Sequence, residues 1–315
     1  MKWRILVSAP YLLSCIDRYR SVFAAHDSEI VLPIVNERLT EAELLGLVGD
    51  IDGVVAGDDS FTRRVLEKAT PRLKVISKWG TGIDAFDQKA CQDLGVAIRN
   101  TLDAFIDPVA DSVMGYILSF ARQIPWMDRQ MKGGAWDKKP GRALNETTLG
   151  IIGVGRIGKA VVHRAQAFGM RVVGNDTATM PPEFLEETGL EMVTKEKLLC
   201  QADFVTLTCD LNPTSHHLMD RGAFALMKPN AVLVNTARGQ IVDEHALVES
   251  LLEGKIGGAG LDVFEDEPLP SQSPLRQMDN VLLAPHNSNS SPRAWTRVHE
   301  RTLSNLFEVL EGAAK

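Results

Sequence analysis

The stretch Leu149-Gly150-Ile151-Ile152-Gly153-Val154-Gly155-Arg156-Ile157-Gly158 decides how this chain folds. An apolar run of strand length leads into Gly153, and a helical pattern follows from Lys159 to Phe168. The glycines between them have the G-x-G-x-x-G spacing. Gly153 allows a tight turn, and Gly155 lets the backbone approach a pyrophosphate. Gly158 lets helix and strand pack closely, so that the first helical amides face the phosphates. Such a pattern alone is a weak signal. Here a second strand, Arg171–Gly174, follows the helix, and Asp176 lies just past it. A carboxylate at that point accepts hydrogen bonds from ribose hydroxyls and repels a 2′-phosphate, which favours NAD over NADP. Arg171 and Lys195 are nearby cations that leave the strictness of that choice open.

Outward from the motif, further strands read Phe204–Thr208, Ala231–Asn235, Ala259–Val263 and Val281–Ala284, six in all. Three ionisable residues follow three consecutive strands. Arg238 stands in Asn235-Thr236-Ala237-Arg238-Gly239, Glu267 in Asp262-Val263-Phe264-Glu265-Asp266-Glu267-Pro268, and His286 in Ala284-Pro285-His286. Ligands of open α/β sheets sit beyond the carboxyl ends of strands, so the three can converge there. Their chemistry suits oxidation of a secondary alcohol. A histidine titrating near neutrality can move the hydroxyl proton in either direction. A carboxylate on its ring fixes the tautomer and favours the imidazolium. An arginine fork grips a substrate carboxylate at two points. Taken singly, each has a plainer reading: a loop histidine, a surface arginine, a solvated acid.

The first hundred residues form a second strand–helix series. Strands fit Trp3–Val7, Gly53–Ala56, Leu73–Ser77 and Val96–Ile98, with helical patterns at Ile16–Ala24, Glu41–Val48, Arg63–Ala69 and Phe86–Leu94. A long helix is expected from Val109 to Arg122, ended by Pro125. The last stretch, Arg293–Leu310, reads as one amphipathic helix that packs back on the first series and makes it discontinuous. The fold class is therefore α/β with parallel sheets.

Composition limits the partners. The 315 residues carry a net charge of −7, and the basic residues form no block, which argues against nucleic acid and anionic membranes. No apolar run approaches the roughly 20 residues that a spanning helix needs. The N-terminal residues enter a strand at once, without a secretory signal. The cysteines at 15, 91, 200 and 209 show no CxxC or Cys/His spacing, so free thiols in a reducing cytoplasm and no metal are expected.

At these residues the sequence resembles the D-isomer-specific 2-hydroxyacid dehydrogenases, the family of D-3-phosphoglycerate dehydrogenase and the glyoxylate/hydroxypyruvate reductases. The resemblance is carried by Gly150–Gly158, Ala167-Phe168-Gly169-Met170, Ala202-Asp203-Phe204-Val205, Met227-Lys228-Pro229, Asn235–Gly239, Val242-Asp243-Glu244 and Gly260–Pro268. It is weaker over the first hundred residues, where Gly80-Thr81-Gly82-Ile83-Asp84 carries it. It implies a Rossmann domain over 103–289 inserted in a flavodoxin-like substrate domain over 1–102 and 290–315, and a homodimer built largely through the cofactor domain. It implies substrate anchoring by Arg238, acid/base work by His286 and a carboxylate partner in Glu267. Beside Gly153, Gly155 and Gly158, it sets Arg156, Ile157, Asp176, Cys209, Thr236, Ala237 and Asp262 at cofactor positions, with Thr81 from the other domain. Lys78, Trp79, Gly80 and Gly82 fall with Arg238 on the substrate side.

Some residues depart from the family pattern. Lys78 stands where phosphoglycerate dehydrogenases often have arginine, and Trp79 replaces a small residue. Thr208 and Asp210 replace a common histidine and proline, and Asn287-Ser288-Asn289-Ser290-Ser291 replaces a glycine-containing run. The reading is an NAD-dependent oxidoreductase on a small 2-hydroxy or 2-keto acid, with D-3-phosphoglycerate, glyoxylate and hydroxypyruvate as substrate alternatives. Lys78 could receive a phosphate or second carboxylate. Trp79 could narrow the pocket toward short acids, or pack on the cofactor-domain helix. A different class is the NAD-sensing corepressors of the family, which recruit partner peptides and usually have long disordered tails. Formate dehydrogenases carry glutamine where Glu267 stands. No regulatory domain is expected after Lys315.

Overall fold

The computed structural model describes residues 2–312, and the chain divides into two compact units, Met1–Phe105 with Ser291–Lys315, and Ile106–Ser290. In chain order the first unit holds β1 (Trp3–Val7), α1 (Pro10–Leu13), α2 (Arg20–Ala25), β2 (Ser28–Val31) and α3 (Glu41–Leu47). It continues with β3 (Gly53–Ala56), α4 (Arg63–Ala69), β4 (Val75–Lys78), α5 (Gln88–Leu94) and β5 (Ala97–Arg99). The strands are parallel in the order β2-β1-β3-β4-β5, the flavodoxin-like arrangement. Local chemistry sets the helix starts. Thr40 and Glu43 close a capping box before α3, and Thr62 and Asp87 cap α4 and α5. Leu6, Val54, Ile76, Leu44, Leu66 and Phe61 fill one side of the sheet.

Two expectations for this unit are corrected. The single helix expected over Ile16–Ala24 is a 3-10 turn at Ile16–Arg18 followed by α2, because Tyr19 breaks the helical hydrogen bonding. The edge strand β2 was not anticipated; its four residues are mostly half-buried and carry little period-two signal.

The second unit opens with α6 (Ile106–Arg122), α7 (Ile124–Lys132), β6 (Thr148–Ile152), α8 (Arg156–Ala167), β7 (Arg171–Asn175), α9 (Pro182–Thr188) and β8 (Glu191–Met192). It goes on through α10 (Lys195–Gln201), β9 (Phe204–Leu207), α11 (Arg221–Leu226), β10 (Val232–Asn235), α12 (Glu244–Leu252), β11 (Gly258–Leu261) and β12 (Val281–Leu283). All seven strands are parallel, ordered β12-β11-β10-β9-β6-β7-β8. That is the doubly wound order, reversing beside β6, with one further strand at its end. Strands β9, β10 and β11 are buried at every position, as their largely apolar runs imply for a sheet covered on both faces. The seventh strand, β8, has only two residues and escaped the six-strand reading. Pro125 does not simply end the preceding helix. It sits in the first turn of α7, where its missing N–H costs nothing, and Gln123 at positive φ makes the break.

The last helix, α13 (Pro292–Gly312), belongs to the first unit and lies on β3, β4 and β5. Gly53 leaves room for it: a Cβ there would sit 2.8 Å from Leu306 Cδ1. The Ser77 hydroxyl donates to the carbonyl of Thr302 at 2.7 Å, and the Asn305 amide donates to the carbonyl of Asn100. Trp79 Nε1 donates to Nδ1 of buried His299 at 2.9 Å. The neutral ring therefore carries its hydrogen on Nε2, 3.6 Å from Cys15 Sγ.

Burial, with the charge of Arg18 adding to it, lowers His299 to about 4. The unfolded chain takes up this proton near the ordinary value of 6.5 and the folded chain only near 4. Stability is thus undiminished by this residue above that window and falls as pH drops through it. We expect the fold to lose about 2 kcal/mol on this account between pH 7 and pH 5. His299→Gln, which can still accept from Trp79, should flatten that part of the pH dependence in urea denaturation; an unchanged slope would count against it.

Candidate active site

The motif read from the sequence forms the turn from β6 into α8. Gly153 has φ 95°, and a Cβ there would lie 2.4 Å from the backbone nitrogen of Cys209. Only glycine tolerates both. A Cβ on Gly158 would meet the carbonyl oxygen of Gly153 at 2.2 Å, so the helix approaches the strand backbone directly. Gly155 differs from both: nothing lies within 4 Å of a Cβ built there. It is the exposed N-cap of α8 without a side-chain cap, beside exposed Arg156 and half-buried Ile157. The turn is closed toward the protein at Gly153 and Gly158 and open outward at Gly155.

Asp176 stands just past β7. Its two oxygens accept from the amides of Val154, at 2.6 Å, and Ala178, at 2.8 Å. These bonds hold the carboxylate against the glycine turn, and each oxygen keeps further acceptor capacity. The two cations noted near it are engaged elsewhere: Arg171 with Glu191 and Gln201, and Lys195 with the carbonyl of Leu218. Cys209 faces the turn with its thiol pushed up to about 11 by burial, so it stays protonated. At the end of β10, Thr236 is buried and its hydroxyl has no hydrogen-bond partner among the described residues. The Ala237 amide donates to the Asn235 side chain, which donates in turn to the carbonyl of Arg238. That local lattice fixes the loop from which Arg238 projects, half-buried, with one guanidinium nitrogen on the carbonyl of Ala237 at 2.9 Å.

His286 and Glu267 come together. Nδ1 of His286 donates to Glu267 Oε2 at 2.9 Å, since a carboxylate can only accept. The other oxygen of Glu267 accepts from the amide of Phe264 at 3.0 Å. Both side chains are about three-quarters buried, at 28% and 24% exposed. His286 has φ 50°, an uncommon conformation for a residue with a side chain. Asp262, 1% exposed, maintains it. Its backbone carbonyl accepts from the His286 amide at 2.7 Å, and its carboxylate takes the amides of Asn287 and Ser288. This bracing role was not read from the sequence; an acid at a strand end two residues before an acidic loop gives no signal of it. Among the described residues no group of three or more His, Cys, Asp or Glu is placed to hold a metal.

The first-unit residues are placed as follows. Lys78 is buried at the end of β4, its ammonium 3.1 Å from Asp58 Oδ1 and donating to the carbonyl of Trp79. Trp79 packs among Tyr11, Phe105, Trp295 and His299 of its own unit. Gly80 has φ 121° and its carbonyl accepts from the amide of Thr101. The exposed Thr81 donates its hydroxyl to the carbonyl of Thr101, and half-buried Gly82 follows.

The model of the D-isomer specific 2-hydroxyacid dehydrogenase, NAD binding domain, matches residues 114–288. A D-3-phosphoglycerate dehydrogenase of Methanocaldococcus jannaschii is 44% identical over 278 residues, 87% of this chain and 52% of that protein. The chain thus spans about half the length of that relative. A glyoxylate reductase of Korarchaeum cryptofilum is 37% identical over 272 residues, 84% of this chain and 81% of that protein. Among solved structures, a D-lactate dehydrogenase from Aquifex aeolicus complexed with NAD and lactic acid has TM-score 0.88 at 26% identity, covering 98% of this chain and 96% of that one. The chain belongs to the family of D-isomer specific 2-hydroxyacid dehydrogenases.

Proposed function

We propose that the chain is an NAD-dependent oxidoreductase that moves a hydride between NAD(H) and a small D-2-hydroxy acid or its 2-keto acid. The observation that carries this reading is the His286–Glu267 hydrogen bond at the carboxyl end of a dinucleotide sheet, with Arg238 following the neighbouring strand.

The residues present fit the cofactor. The outward-open Gly155, the first turn of α8 with Arg156 and Ile157, and the braced Asp176 suit a pyrophosphate and a ribose. The buried, unpartnered Thr236 hydroxyl is the kind of group a ligand completes. Ala237, Cys209, Asp262 and Thr81 are further candidates for cofactor contact. Bound NAD supplies the hydride acceptor or donor. Glu267 fixes the His286 tautomer with the hydrogen on Nδ1, so Nε2 is the nitrogen that exchanges the substrate hydroxyl proton. Arg238 pairs with the substrate carboxylate; Gly80 and Gly82 of the first unit are further candidates for substrate contact.

Among substrates, a two- or three-carbon acid such as glyoxylate or hydroxypyruvate is favoured over a phosphorylated one. The Lys78 ammonium is buried and already neutralised by Asp58. The similarity to a phosphoglycerate dehydrogenase favours the phosphorylated acid instead. We further infer a homodimer and a cytoplasmic location. The exposed Ile124, Met131 and Trp136 on α7 and the loop after it support self-association. Among the described residues no helix is long and apolar enough to cross a membrane.

A screen of NADH oxidation with glyoxylate, hydroxypyruvate and phosphohydroxypyruvate tests the substrate, and turnover on none of them would sink the reading. His286→Gln is expected to cut turnover by about 10²–10⁴ with NADH binding intact; near-normal turnover removes it from proton transfer. Asp176→Ala should weaken NAD and relax discrimination against NADP, and an unmoved preference would reject the ribose assignment.

A further inference from the structure

The acidic loop between β11 and β12 is held far more firmly than an exposed run of carboxylates would be. Both backbone groups of Glu265 have partners from one neighbouring segment. The carbonyl of Glu265 accepts from Gln240 Nε2 at 2.8 Å, and the Glu265 amide donates to Glu244 Oε2 at 3.3 Å. The Glu265 carboxylate meets Nε2 of His217 at 2.5 Å. His217 is itself tied to the same segment, its amide donating to the carbonyl of Gln240 at 2.9 Å. Below these contacts Gly239 presses on the loop backbone; a Cβ there would lie 1.9 Å from the carbonyl carbon of Phe264. The next amide along, that of Phe264, is the one bonded to Glu267.

We infer that Gln240, Glu244 and the His217–Glu265 pair are positioning residues for the dyad, holding the Phe264–Glu267 loop where Glu267 meets the His286 ring. The inference rests on the acid/base reading of His286 given above. Two observations favour it over a generic surface network. Apart from the His217–Glu265 pair, the contacts fall on loop backbone: the amide and carbonyl of Glu265 and, through the close approach of Gly239, the carbonyl of Phe264. The arrangement also runs against local electrostatics. Glu244 is half-buried and raised above the ordinary carboxylate range by that burial, with Glu265 and Asp266 adding to it. Bringing a further acid to a loop that already carries Glu265, Asp266 and Glu267 is unfavourable unless its oxygen is wanted as the acceptor for the Glu265 amide. The same segment begins one residue after Arg238, so it sets the spacing between the substrate-anchoring arginine and the dyad's carboxylate.

The test compares Gln240→Ala, Glu244→Ala and Glu244→Gln in the full chain, with His286→Gln and Glu267→Gln as controls. Turnover, KM, NADH affinity and the pH–rate profile are measured on the best substrate of the screen. Gln240→Ala and Glu244→Ala should each lower kcat about tenfold, with the KM for the keto acid and NADH affinity within about twofold. Both should move the acidic limb of the profile to lower pH, as Glu267→Gln does by removing the carboxylate that favours the imidazolium. Glu244→Gln keeps an acceptor oxygen and should restore most of the rate. An unmoved kcat and profile in the two alanine variants overturns the inference while the controls lose turnover. So does a loss that Glu244→Gln fails to restore, or one matched by lost NADH binding, since either marks general damage. If the controls themselves retain turnover, the acid/base reading falls and this inference with it.

Discussion

A strand in a parallel sheet ends with backbone groups that the next loop must satisfy, and at β11 that duty falls to Asp262. Its carboxylate takes two consecutive amides from the loop after β12, and its carbonyl takes a third. A buried acid with both oxygens occupied in this way ties two neighbouring strand ends into one rigid corner. His286 sits inside that corner with a backbone conformation it would not adopt unaided. Glu267 arrives from the same strand end by a short loop. The close meeting of imidazole and carboxylate is therefore a property of the sheet edge as much as of the two side chains.

The rest of the candidate site follows the same logic of peptide groups satisfied at strand ends. Asn235 closes the turn before Arg238, Asp176 takes the amide of the glycine turn, and Thr208 donates to the carbonyl of Gly153. Polar side chains of this kind, rather than apolar packing, give the loops their shape. The core beneath them, from Leu198 and Val205 to Leu233 and Leu261, supplies a stiff platform.

Much of this was legible in the sequence because the deciding signals are local. Glycine spacing, an apolar run before it and an acid after the next strand are all readable within thirty residues of Gly150. The pairing of Glu267 with His286 could be proposed because each follows a strand that the hydrophobic pattern marks clearly. What escaped had no local signature. The two-residue β8 is too short for periodicity, and Pro125 reads equally as the end of one helix or the start of another. Gln240, Glu244 and His217 look like ordinary surface residues until the chain brings three separate turns together. Trp79 and His299 are 220 positions apart, and nothing in either neighbourhood announces the bond between them.

The return of α13 to the first sheet has a consequence for how the chain acquires its structure. The platform of β3, β4 and β5 waits for a helix that a ribosome makes only after the whole second unit, whereas the seven-stranded unit has all its strands by Leu283. Synthesis therefore completes the middle of the chain before its beginning. Until Leu306 and Leu310 arrive, apolar surface beside Gly53 stays open to water. The first unit thus stays incomplete until the second has been made.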